Sequence, residues 1–151
     1  MKKVIVFILI NFAGLALGSF FTNPGVSSDW YASLAKAPWT PPGWVFGAAW
    51  FTIMVCFSFF CAKRYDTEGK SAFLRLFIPA WILNVIWNPV FFYGQFVLPG
   101  LIVILFLTCL IIYWQLKSFR DAPAVSFLLL PYSVWLCIAT SLNAYILIMN
   151  P

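Results

Sequence analysis

Pro38-Trp39-Thr40-Pro41-Pro42-Gly43-Trp44-Val45-Phe46-Gly47-Ala48-Ala49-Trp50 packs three prolines and three tryptophans into thirteen residues, directly before a long apolar run. Proline fixes φ and removes a backbone donor, so the first half is a stiff, extended lead-in. From Trp44 onward nothing interrupts a helix. The stretch therefore reads as an aromatic wall placed where a membrane helix meets water.

Composition makes the membrane reading firm. Of 151 residues, 64% are hydrophobic and 9% charged, against roughly 25% charged in an ordinary soluble domain. A membrane-spanning helix needs about 20 mostly apolar residues. Five runs qualify, at about 4–22, 44–62, 76–96, 98–116 and 124–149, and none contains Asp, Glu, Lys or Arg. The expected fold is an all-α integral membrane protein, a five-transmembrane-helix bundle forming a single domain over 1–151. A very short link around Val97-Leu98-Pro99-Gly100 makes the third and fourth helices a tight antiparallel pair.

Met1-Lys2-Lys3, the following apolar stretch and the small residues Ala16, Gly18 and Ser19 also fit a cleavable signal peptide. The length of the run, Asn11, and the GxxxG spacing of Gly14 and Gly18 favour a retained helix. That glycine face serves equally for a homodimer seam or for packing within the chain, and the sequence leaves both open.

The net charge of +5 does not point to nucleic acid. Lys2, Lys3, Lys63, Arg64, Lys70, Arg75, Lys117 and Arg120 flank apolar runs on one side of the membrane, and only Lys36 lies on the other. The positive-inside rule then puts the N-terminus in the cytoplasm and the C-terminus outside. A multi-pass protein of a bacterial cell membrane is the default expectation. The four cysteines lie in apolar runs without CxxC spacing, and there is no histidine, so no metal site is expected.

The connection at about 23–43 is the one long loop and faces outward in this topology, as a lid over a cavity mouth. Ser27-Ser28-Asp29 supplies N-cap chemistry for a short helix over about 29–36, with Trp30 and Tyr31 dipping toward the bundle. An interfacial aromatic belt explains the same residues equally well. In the third helix Asn84, Asn88, Phe91 and Gln95 recur at helical spacing and share a face. Bare amides facing lipid are costly, so that face points inward, as glue between helices or as a cavity wall. Pro89 frees the carbonyl of Val85 and should kink the helix. Phe46, Trp50 and Met54 form a stripe on the second helix; Trp135, Ala139 and Leu142 form one on the fifth. With Trp39 of the loop, these stripes suit a flat, apolar ligand with a polar edge.

Trp30-Tyr31, Pro38 through Phe46, Ala49-Trp50, Asn84-Val85-Ile86-Trp87-Asn88-Pro89-Val90-Phe91-Phe92, and Pro131-Tyr132-Ser133-Val134-Trp135 with Ala139-Thr140 and Leu142-Asn143 occur in one order along the chain. In these blocks the sequence resembles the translocator protein family, also called tryptophan-rich sensory proteins or peripheral-type benzodiazepine receptors. The resemblance implies a five-helix bundle, usually a homodimer in the lipid bilayer, that binds porphyrins and, in some members, cholesterol and drug-like small molecules. It implies Tyr31, Pro41, Trp50, Met54, Asn88, Phe91, Trp135, Ala139 and Leu142 as pocket residues. No cofactor is required; protoporphyrin IX or heme is the expected ligand. Members proposed to degrade porphyrins use tryptophans matching Trp50 and Trp135, the only catalytic candidates here. The family's sterol motif needs a basic residue after its tyrosine, and Tyr145 is followed only by Ile146-Leu147-Ile148-Met149-Asn150-Pro151. Sterol binding at that place is therefore not expected. The implied function is a porphyrin-binding membrane receptor or sensor, with a passive transporter or a light- or redox-dependent porphyrin-degrading protein as alternatives.

Overall fold

The computed structural model describes residues 1–150; Pro151, the last residue of the expected domain, lies outside them. Five helices are long and apolar enough to cross a membrane. They are α1 (Lys2–Val26), α3 (Gly43–Glu68), α4 (Lys70–Asn88), α5 (Val97–Asp121) and α7 (Leu130–Met149), with short helices α2 (Asp29–Ser33) and α6 (Pro123–Ser126) between them. Around the bundle the order is α1, α3, α7, α5, α4, closing back on α1.

The helices outrun the apolar segments that announce them. At 25 residues α1 is about 37 Å long, against about 30 Å of hydrocarbon. The link expected between the second and third helices is itself helical, apart from Gly69 at φ 79°. Arg64, buried at the end of α3, explains the extension. Its Nε and a terminal nitrogen donate to Glu68 Oε1 at 2.9 and 2.5 Å, an i,i+4 pair that continues the helix past the membrane run. Trp114 Nε1 joins the same oxygen at 3.2 Å.

The stripe Phe7, Asn11, Gly14, Gly18 and Gly25 is the buried face of α1. A Cβ at Gly14 would stand 2.8 Å from Trp81 Nε1, and one at Gly18 would stand 2.6 Å from Asn88 Nδ2. The glycines thus admit α4 against α1, as small residues do in membrane bundles where no hydrophobic force drives association. Of the two readings of this face, the structure has the internal one. Asn11 donates to Ser58 Oγ at 2.9 Å and ties α1 to α3.

Pro89 produces a widened turn. Residues Pro89–Tyr93 are π-helical, with Gly94 N–H donating to Pro89 O at 2.8 Å. Asn88 Nδ2 reaches Asn84 O at 3.1 Å and Val85 O at 3.5 Å, partly replacing the donor that proline lacks. The chain then turns at Gln95 (φ 56°), so the link to α5 is Gly94–Phe96, and Pro99 and Gly100 lie within the first turn of α5. Ser28 caps α2 as expected, its Oγ accepting from Tyr31 N–H at 3.2 Å. The short helix ends at Ser33 and not at 36, because Leu34 is extended.

At the Arg64 end the bundle is solid. Phe57, Phe60, Phe73, Phe77, Trp114 and Tyr132 interlock with ring centroids 5.1–6.2 Å apart. Toward the loop end the helices diverge and leave a space.

Candidate functional site

That space is a cavity of about 810 Å³ bounded by all five long helices and roofed by the loop, within the size range that holds drug-sized ligands. Gly18 and Thr22 of α1, Phe46 and Trp50 of α3, and Asn84, Trp87, Asn88 and Phe91 of α4 form three walls. Ile104 and Leu107 of α5 and Trp135, Ala139, Leu142 and Asn143 of α7 form the others. Tyr31, Lys36, Thr40 and Pro41 make the roof.

The aromatic walls are held rigidly. Phe46 stands edge-on to Trp135 with centroids 5.2 Å apart, and Trp50 edge-on to Tyr132 at 6.0 Å. Trp87 stacks on Phe91 at 5.1 Å and 12°. Its indole Nε1 donates to Asn143 Oδ1 at 3.3 Å, and Asn143 Nδ2 donates to Val97 O at 3.2 Å. Thr22 Oγ1 donates to Asn88 Oδ1 at 2.7 Å. Asn88 is therefore both glue and wall. Asn84, one turn deeper, lines the cavity, and its side-chain amide has no hydrogen-bond partner among the described residues. It is the polar handle the cavity offers to a ligand.

The roof adds one cation. Lys36 Nζ lies 4.6 Å from the centroid of the Tyr31 ring, a cation–π contact that holds the ammonium over the cavity. Burial pushes the Tyr31 phenol above its ordinary value, so it stays a neutral hydroxyl at physiological pH.

Ten of the thirteen expected residues reach this cavity: Tyr31, Pro41, Phe46, Trp50, Asn84, Asn88, Phe91, Trp135, Ala139 and Leu142. Three do not. Trp39 is 54% exposed, turned outward by the tight turn at Ala37–Thr40; its Nε1 donates to Ser141 Oγ at 3.1 Å and its ring meets Tyr145 edge-on. Met54, 2% exposed, lies one turn below Trp50 in the solid core. Gln95 is exposed, because the π-turn shifts the helical register before reaching it. The α1 wall was missed by sequence reasoning. Its signal was Ser19 and Thr22 beside the Gly14–Gly18 pair, hydroxyls within the apolar run of α1.

These features define a class: a multi-pass membrane protein with a roofed aromatic cavity at one end of a five-helix bundle. The sequence pattern of the TspO/MBR family matches residues 6–149, and the chain belongs to that family. It is 35% identical over 138 residues to the tryptophan-rich protein TspO of Chlorobaculum tepidum, covering 89% of this chain and 87% of the relative. It is 33% identical over 150 residues to the tryptophan-rich protein TspO of Archaeoglobus fulgidus, covering 98% and 94%. Against the human translocator protein it is 31% identical over 142 residues, covering 91% and 83%.

Proposed function

We propose that this protein is a membrane receptor or sensor for porphyrins and related flat, apolar ligands, and that protoporphyrin IX or heme occupies the cavity under the loop. The observation that carries the reading is the convergence of Trp50 and Trp135 with Asn84 and Lys36 on one space of about 810 Å³. The indoles offer faces to a planar conjugated ring. The free Asn84 amide suits a polar ring edge. Lys36 at the roof suits a carboxylate, such as a porphyrin propionate, reaching toward water.

In this reading the loop end faces away from the cytoplasm, because eight of the nine basic residues are at the other end or in its connections. Proton-coupled transport finds little support. Such transporters carry ionisable groups in the membrane, and the cavity wall offers only Lys36 and Tyr31, both in the roof.

Titration of protoporphyrin IX into the purified protein tests the proposal. It expects saturable quenching of tryptophan emission at one site per chain. Quenching that rises linearly without saturation is partition into detergent or lipid and refutes it.

A further inference from the structure

We propose that ligands enter the cavity sideways, from the bilayer leaflet at the loop end, through a gap between α1 and α3, and not from water under the loop. This rests on the reading of the cavity as a ligand site and deepens it. The ligand class becomes an amphiphile already dissolved in the membrane.

The roof is fastened on two sides. The Asn150 side chain clamps the backbone of Ala35, with Oδ1 accepting from Ala35 N–H at 2.9 Å and Nδ2 donating to Ala35 O at 3.2 Å. Beside that clamp is the Trp39 bond to Ser141, which also ties the loop to α7. Across the bundle, Trp30 packs edge-on against Phe91 at 5.7 Å, and Tyr31 against Phe92 at 5.6 Å, which fixes the loop to α4 and its π-turn. Lifting the roof into water breaks these contacts together and exposes four aromatic rings.

Between α1 and α3 the situation is reversed. Below the cavity the two helices pack closely, through Lys3–Asp66, the Phe7–Tyr65 rings and the Asn11–Ser58 bond, and the last ring pair toward the loop is the edge-on Phe12–Phe51, centroids 5.6 Å apart. From Phe51 the next two turns toward the loop bring Gly47 and then Gly43 to the same face of α3. Both line the cavity and both are exposed. A Cβ added at either would meet no atom within 4 Å. Gly14 and Gly18 are small because α4 fills their space; Gly43 and Gly47 are small where nothing does.

The α1 rim of this gap suits lipid. Ser19 Oγ donates to Leu15 O at 2.8 Å, and Thr22 is turned to Asn88, so neither hydroxyl presents an unpaired donor to hydrocarbon. Phe12 and Phe51 form the sill. A ligand crossing above it from the lipid-facing surface reaches Phe46 and Trp50 past Gly43, Gly47, Ser19 and Thr22, none of them charged.

Stopped-flow tryptophan quenching tests the route, with the protein in lipid nanodiscs and protoporphyrin IX delivered from loaded vesicles. Gly47→Leu narrows the gap, and association should slow by about tenfold. Gly43→Leu, one turn nearer the loop, should do the same and serves if the first variant misfolds. Asn150→Ala releases the clamp on Ala35, one of the roof's fastenings to α7, and should leave the association and dissociation rates within about twofold of the original. The route is overturned if the leucine variants keep the original rates, or if Asn150→Ala speeds association by about tenfold. A weakened Kd at an unchanged association rate also overturns it, placing Gly47 in the binding wall and not in a passage. No saturable quenching in the unsubstituted protein overturns the functional reading itself, and the route with it.

Discussion

Gly18→Leu probes the contact on which the α1 wall depends. A Cβ at Gly18 already comes within 2.6 Å of Asn88 Nδ2 and 3.1 Å of its Cγ. Asn88 cannot swing aside freely, because its oxygen accepts from Thr22 and its nitrogen donates to Asn84 O. Overpacking a well-filled contact costs about 1–3 kcal/mol. Losing the Thr22–Asn88 bond adds about 0.6 kcal/mol, the average for hydrogen bonds between membrane helices. The expected destabilisation is thus about 2–4 kcal/mol, and Gly18→Ala, which brings only the first carbon, should cost about 1 kcal/mol. Denaturant unfolding in mixed micelles, followed by circular dichroism, measures both. Porphyrin affinity should fall in the leucine variant, since Gly18 and Asn88 border the cavity. A Gly18→Leu protein that keeps full stability and binding but changes from dimer to monomer would refute the internal packing and make this face a subunit seam.

Trp50→Ala should weaken protoporphyrin IX binding by about 1–3 kcal/mol through loss of one stacking ring, with helix content unchanged by circular dichroism. Lys36→Ala should cost about 1 kcal/mol of affinity for protoporphyrin IX in a titration, but nothing for its dimethyl ester, which has no carboxylate to pair. Equal losses for acid and ester would assign Lys36 a structural part through Tyr31. Arg64→Ala takes from Glu68, whose side chain is 4% exposed, its closest cation and leaves Lys117 Nζ at 3.7 Å; it should destabilise the bundle by about 3 kcal/mol in the same unfolding assay.

The number and order of the spanning helices were legible because each apolar run is continuous and free of charge. Their ends were not, because helix formation follows backbone pairing and not hydropathy: α3 continues through Arg64 and Glu68, charged residues that pair with one another. The α4 face was legible through Asn88, and Phe91, early in the π-turn, still falls on it. By Gln95 the turn opened at Pro89 has shifted the register, and a period of 3.6 residues places Gln95 on the wrong side. Trp39 misled for a different reason. Composition marks it as an aromatic at the cavity mouth, but the turn at Ala37–Thr40 decides which way it points, and turns leave little trace in hydropathy. Met54 obeyed the periodicity and still missed the cavity, since a stripe on one helix runs past the depth at which the bundle closes. The family resemblance named Met54 and could not correct this; it also left the α1 wall unnamed.

The most direct test of the account is an experimental structure of the protein with protoporphyrin IX bound. Ligand density should lie between Trp50 and Trp135, beneath Tyr31, with a carboxylate toward Lys36 and a ring edge at Asn84. Density on the outer, lipid-facing surface of the bundle, with the cavity left closed around its own side chains, would contradict it.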